Sequence, residues 1–309
     1  MIKKFKTPIL FLVFNRPDTT ELVWQEIKKQ KPTKLFIAAD GPRKGNQKDK
    51  QRCKQVKEVV KQIDWECEVK RLYRKKNLGC KTAISSAINW FFDNVKKGII
   101  LEDDCLPDPS FFKFTEALLK KYKNNKKILH ISGNNFHPHS KDKNDYYFSK
   151  YPHIWGWGTW RRAWKKYKVE INSWPKFKKS NHFKKYFSNY SEKIYWHGIF
   201  DLVYQNKIDT WDYQWLYCCW QHDGLSITPK YNLVRNIGFG KQATHTKNDE
   251  SVVANFPTNS IRTPFSHPKH CNFNKSYDLE TSTILYGIGG LKNILYYFYF
   301  QIKTFIKNI

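Results

Sequence analysis

The residues best suited to chemistry close the segment Gly98-Ile99-Ile100-Leu101-Glu102-Asp103-Asp104-Cys105, where a short apolar run stops in three consecutive carboxylates. An apolar run of this length after a glycine reads as a buried strand. Three adjacent acids repel one another unless a cation shares their charge. Sites for Mg²⁺ or Mn²⁺ combine one or two carboxylates with substrate phosphates. The segment alone therefore supports two readings, a metal and diphosphate site at the tip of a central strand or a solvated acidic turn before Pro107.

The elements around it bear on that choice. Ile9 to Phe14 predicts a strand, followed by Asn15-Arg16 and a helix opened by Pro17-Asp18. Leu35 to Ala39 predicts a second strand ending at Asp40-Gly41-Pro42-Arg43, and Cys67 to Leu72 a third leading to Tyr73-Arg74. Ala83, Ile84, Ala87, Ile88, Phe91, Phe92 and Val95 share one helical face. Asp108-Pro109 has the cap and first-turn pattern of another helix, and Ile128 to Ser132 reads as a strand. Alternation of this kind predicts an α/β fold, a mostly parallel central sheet with helices on both faces. Such sheets bind ligands at their carboxyl edge. Asn15, Arg16, Asp40, Arg74, Glu102, Asp103 and Asp104 are thus expected on one crevice, which favours the site over the acidic turn.

The chain has 309 residues and a formal net charge of +28, which invites a nucleic-acid reading. Its lysines run along the whole length, however, and no zinc-finger spacing, helix-turn-helix signature or aromatic-glycine RNA box is present, so no specific nucleic-acid partner is expected. An anionic membrane face or a phosphorylated substrate accounts for the charge equally well. The seven cysteines are odd in number and form no Cys-x-x-Cys pair, which reads as reduced thiols in a cytoplasmic protein. The apolar run after Met1-Ile2-Lys3-Lys4 is too short for a secretory signal, and no stretch reaches the length of a bilayer span.

Residues 133–290 read differently, rich in Trp, Tyr and His with weak periodicity. Trp155, Trp157 and Trp160 either stack on sugar rings or fill a core; Gly156 and Gly158 between them suggest a close backbone approach and favour the former. Trp211-Asp212-Tyr213 opens a predicted helix through Trp220. Residues 291–309 form an apolar helical stripe flanked by Lys292, Lys303 and Lys307, fit either to lie on an anionic membrane or to pack on the body.

Taken in order, Leu12-Val13-Phe14-Asn15-Arg16-Pro17, Ala39-Asp40-Gly41-Pro42-Arg43, Asn77-Leu78-Gly79, Ile100-Leu101-Glu102-Asp103-Asp104 and Trp155-Gly156-Trp157-Gly158-Thr159-Trp160 resemble the nucleotide-diphospho-sugar transferase superfamily, the GT-A glycosyltransferase fold. Within it, the chain looks most like bacterial proteins of the hemolytic protein HlpA-like type, and its Glu-Asp-Asp is similar to the metal motif of the N-acetylglucosaminyltransferase I family. The resemblance implies one GT-A domain. Residues 1–132 would be its nucleotide-sugar-binding half and 133–290 its aromatic-rich acceptor half, with 291–309 a basic tail helix. It also implies that Asn15 and Arg16 lie against the nucleotide and that Asp40 accepts a hydrogen bond from the base, from the N3–H of uracil. Asp104 would bind Mn²⁺ or Mg²⁺, with His245 completing the metal site, while Glu102 and Asp103 hold ribose, metal waters or sugar. The Glu at the first place departs from a strict Asp-x-Asp, which leaves the ligand within the triplet open.

A divalent ion and arginines such as Arg16, Arg43 or Arg74 would stabilise the charge on a departing diphosphate. An inverting transfer further needs a carboxylate to take the acceptor's proton. Asp212 is assigned that role, its alternative being a helix cap. The expected function is a metal-dependent glycosyltransferase carrying a sugar from a UDP-type donor to a hydroxyl of a bacterial surface glycan or lipid-linked acceptor. It would work at the inner face of the cytoplasmic membrane, with peripheral contact to anionic lipid. The alternatives are a sugar nucleotidylyltransferase, whose Gly-rich loop is missing after the first strand, and a non-enzymatic basic nucleic-acid- or membrane-binding protein.

Overall fold

The computed structural model describes residues 4–137, 143–187, 189–239 and 256–288. His245 and the 291–309 tail lie outside the described residues. The first half alternates strand and helix: β1 (Ile9–Val13), α1 (Pro17–Gln30), β2 (Lys34–Ala39), α2 (Gln47–Val59), β3 (Glu68–Tyr73), α3 (Gly79–Asn94), β4 (Lys97–Glu102), β5 (Cys105–Pro107), α4 (Pro109–Lys121) and β6 (Ile128–Ser132). The second half adds β7 (Tyr146–Ser149), β8 (Trp157–Trp160), α5 (Arg161–Trp164), α6 (Trp174–Phe177), α7 (Asn181–Lys184), α8 (Tyr190–Tyr204), α9 (Asp212–Gln221), β9 (Leu225–Pro229), β10 (Val234–Asn236) and α10 (Lys275–Tyr286).

Local signals set several of these boundaries. Asp108 caps α4 by accepting from the Ser110 N–H at 2.8 Å, with Pro109 in the first turn, where its missing N–H costs nothing. The polar basic stretch before Val56 is helical from Gln47, because Asn46 accepts from the Asp49 N–H at 3.0 Å.

Eight strands form one sheet in the order β3-β2-β1-β4-β8-β6-β9-β7. The sheet is mixed, which corrects the expectation of a mostly parallel one. Four of its pairings are parallel and three antiparallel. The difference comes from residues whose periodicity is weak. Trp157–Trp160 inserts between β4 and β6 antiparallel to both, and Tyr146–Ser149 adds an antiparallel edge.

Strand residues alternate between two cores. Ile9, Phe11, Leu35, Ile37, Ile99 and Leu101 pack with α1, α2 and α4, while Leu10, Leu12, Phe36, Ala38 and Ile100 pack with α3, α5 and α9. A sheet buried on both faces leaves only its strand ends for a ligand. A third core of Tyr151, Trp174, Phe183, Trp196, Phe200 and Trp220 underlies α6 to α9.

One buried polar network joins these parts. Lys150 Nζ pairs with Glu192 Oε1 at 2.7 Å, both fully buried, and Tyr151 donates to the same oxygen. Asp278 of α10 accepts from the Ser149 hydroxyl at 2.5 Å and from the Lys150 N–H at 2.9 Å. Burial pushes the Asp278 carboxyl up from 3.8 to about 7 against those hydrogen bonds. A folded-state value above the unfolded one means that its contribution is complete below about pH 4 and lost as pH rises through about 7. Unfolding free energy should therefore decline across that window by something of the order of 4 kcal/mol from this group. In urea titrations at several pH values, Asp278→Asn should flatten the decline, and an unchanged slope would refute this account of the α10 anchor.

Candidate active site

Register brings the expected residues together. Val13 pairs with Ala39, Ala39 with Tyr73, and Leu12 with both Ala38 and Glu102. The ends of four parallel strands therefore lie level. Asn15-Arg16, Asp40, Arg74 and Glu102-Asp103-Asp104 all line one open cavity of about 1200 Å³. Trp155 and Asp212 line it from the second half. Seven of the 27 acidic residues of this basic chain face it: Asp40, Asp49, Glu102, Asp103, Asp104, Asp209 and Asp212.

The triplet is crowded. Asp103 Oδ2 accepts from the Phe14 N–H at 2.9 Å, which fastens the β4 end to the β1 end. Asp104 Oδ2 lies 2.5 Å from Arg16 Nη1, and Asp103 Oδ1 lies 3.8 Å from the same nitrogen. Burial, with Asp104 and Arg16 acting in opposite senses, pushes the Asp103 carboxyl up to about 7. Glu102 is raised well above the usual range by burial and by the charges of Asp104, Asp103 and Asp212. Arg16 stays firmly charged, because Asp103 and Asp104 outweigh the burial that works against it.

Three adjacent carboxyls beside one guanidinium form a set of hard oxygen donors whose ionisation is resisted until more positive charge arrives. Donors of this chemical type are those that hard cations such as Mg²⁺ or Mn²⁺ take. Among the described residues no three donors already converge as a ready cage, so such an ion would need ligand oxygens as well.

Two clamps around Asp40 and Asp49 build another part of the cavity wall. Asp40 accepts from the Gly41 N–H at 2.9 Å, the Leu78 N–H at 3.1 Å and Asn77 Nδ2 at 2.9 Å, joining the loop after β2 to the start of α3. Asp49 receives the Arg43 fork, Nη2 at 2.8 Å, and Asn15 Nδ2 at 2.7 Å. The Arg43 guanidinium, which also lies over the Phe14 ring, holds the Asp49 carboxyl down to about 2. Arg74 donates to Ser86 Oγ at 2.7 Å beside Asp40.

Asp212 occupies the first turn of α9, one residue after Trp211, which holds the cap position without a side-chain cap bond. Its Oδ1 accepts from the Thr210 hydroxyl and, at 2.9 Å, from the Tyr213 N–H. Asp209 stands nearby, its carboxylate close to Gly79. The charges of Glu102, Asp212 and Asp209, added to burial, push the Cys80 thiol up, so all three face the space around it.

Of the three tryptophans expected on a sugar, only Trp155 reaches the cavity. Trp157 and Trp160 are a correction: both are buried in β8, Trp157 stacked between His130 and Trp211, because the strand that carries them is central in the sheet. Gly156 and Gly158 serve that packing, since a Cβ on either would fall on Val234 or Thr115 respectively.

Reading the sequence alone did not single out Asp49, Asp209, Gly238 or Phe239. Asn236 to Phe239 continues β10, which pairs with β5 beside Asp104, and the Ile237 N–H donates to the Asp104 carbonyl at 2.8 Å. Phe239 meets Trp155 edge to face at 5.6 Å. A Cβ on Gly238 would fall on Asp104 Oδ2 and lie 2.8 Å from Arg16 Nη1. The signal for this strap was the Gly238-Phe239-Gly240 string, whose small residues permit close approach.

No protein-family model and no curated protein matches the chain. Among solved structures it is similar to "Crystal structure of HddC from Yersinia pseudotuberculosis", at 12% identity over 55% of this chain and 86% of that one, with a TM-score of 0.33. A likeness that slight carries no argument. Among the described residues no helix is long and apolar enough to cross a membrane.

The strap makes one prediction. Gly238→Ala should cost about 1–3 kcal/mol by overpacking the Arg16–Asp104 pair. Chemical denaturation checks this, and a cost near zero would mean that the strap does not cover the pair.

Proposed function

We propose that the chain is a glycosyltransferase that moves a sugar from a nucleoside-diphosphate donor, of UDP type, to an acceptor hydroxyl. The observation that carries the reading is the meeting of the Glu102-Asp103-Asp104 triplet, Arg16, Asp40, Arg74 and Asp212 on one cavity at the carboxyl edge of the sheet. The roles follow from charge. Asp104, the triplet member beside Arg16, would hold a divalent ion. Such an ion supplies positive charge to a departing diphosphate. Arg16 and Arg74 add fixed cations for the phosphates, and Asp40 and Asn77 offer an acceptor and a donor to a base.

Asp212, brought to the cavity by the start of α9, is the base that takes the acceptor hydroxyl's proton; inversion at the sugar carbon follows if the acceptor attacks directly. Trp155 and Phe239 supply apolar faces for a sugar ring. A glycan or lipid-linked glycan is the proposed acceptor, with the basic surface set against anionic lipid at the inner face of a bacterial membrane.

A thermal-shift panel of nucleotide sugars with and without Mn²⁺ tests the reading. Stabilisation by a UDP-sugar that grows with Mn²⁺ and disappears in Asp104→Ala is expected; no shift from any nucleotide sugar would overturn it. With donor and acceptor in hand, Asp212→Asn should lower kcat about 10²–10⁴-fold while donor binding persists. Retention of full turnover would remove Asp212 from the chemistry.

A further inference from the structure

The cation nearest Asp104 is part of the chain itself. Arg16 Nη1 lies 2.5 Å from Asp104 Oδ2, its side chain and that of Asp104 largely buried, and 3.8 Å from Asp103 Oδ1. On one side the pair is closed by the Gly238 backbone, where not even a Cβ fits. Beneath it, the Phe14 N–H anchors Asp103, and the Ile237 N–H holds the Asp104 backbone. Asp104 is thus fixed, and a guanidinium occupies the charge position that a divalent ion would take.

We propose that Arg16 acts as a placeholder cation, making divalent-ion binding at Asp104 conditional on a diphosphate. The inference rests on the reading of Asp104 as the ion's ligand. In the ligand-free protein an incoming ion must displace a charge-assisted hydrogen bond from Asp104, and the positive charge of Arg16 repels it at short range. A diphosphate changes both terms. It offers Arg16 other oxygens, since a guanidinium fork suits phosphate as well as carboxylate, and it gives the ion the additional ligands that the protein lacks. Ion and diphosphate therefore bind cooperatively, and the coupling is the same whichever is added first. A nucleoside monophosphate, with one phosphate to share between Arg16 and the ion, should couple less. Arg16 is a positioning residue here, and its tether to the triplet selects for two phosphates.

The experiment is Mn²⁺ binding to the full chain, read by electron paramagnetic resonance of the free ion, alone and with saturating UDP or UMP. Wild type should bind Mn²⁺ weakly alone and at least tenfold more tightly with UDP, with a smaller gain from UMP. Arg16→Met should bind Mn²⁺ alone at least tenfold more tightly than wild type and lose most of the UDP-dependent gain. A protein that merely needs Arg16 for folding would not gain ion affinity on losing it. Arg16→Lys, which keeps the charge but not the fork, should stay close to wild type without nucleotide. Mn²⁺ affinity of Arg16→Met equal to or below that of wild type, while UDP still enhances binding in both, would overturn the placeholder role alone. Failure of UDP to bind wild type at any Mn²⁺ concentration would instead overturn the reading of the site on which it rests.

Discussion

Crowding of like charge at the end of β4 is the constraint around which the rest of the molecule is arranged. Glu102 ends a strand buried on both faces and Asp103 and Asp104 follow it, with the charge of Asp212 acting on Glu102 and Arg16 as the cation paired with the triplet. Carboxyls drawn from water and set side by side resist ionisation, which is why Glu102 and Asp103 are raised. A fold tolerates such an arrangement where the surrounding structure holds it firmly. Here the Phe14 N–H, the strap from Val234 to Phe239 and the level ends of β1 to β4 do so. Strongly perturbed groups in a cavity of this size are a physical sign of a functional site.

The aromatic second half has a structural part in this. Of its many rings, most build the core beneath α6 to α9 and the stack from His130 through Trp157 to Trp211. That stack seats the start of α9, and with it Asp212, against the sheet. The buried Lys150–Glu192 pair and Asp278 tie β7, α8 and α10 into the same wall. The wall of the cavity built by the second half is thus as firmly founded as the wall built by the first, although it shows little periodicity.

The first-half wall was legible from sequence because its information is local. Apolar runs of fixed length, Pro17 and Pro109 at helix starts and acids after strands report geometry within a few residues. The parallel order of β1 to β4 then follows from the alternation itself. The β8 insertion was not legible, since Trp157-Gly158-Thr159-Trp160 has no polar alternation and its antiparallel pairing with β4 is decided by packing some 60 residues away in sequence. Its tryptophans therefore looked like a sugar platform. Asp209 and Gly238 escaped for a related reason, each acting through a partner distant in sequence, the α3 start and Asp104 respectively, and Asp49 joins distant Asn15 as well as nearby Arg43. An Asp beside a helix start or a Gly in a loop has no local mark that separates these roles from ordinary turns.

The central claim is that one cavity holds a nucleoside diphosphate and a divalent ion at Asp104. Crystals grown with UDP and Mn²⁺, measured at the manganese absorption edge, test it directly. The account predicts one anomalous peak on Asp104, shared with diphosphate oxygens, with Arg16 turned to the phosphates and the base towards Asp40. UDP ordered outside this cavity, or a manganese peak away from the Glu102-Asp103-Asp104 triplet, would contradict it.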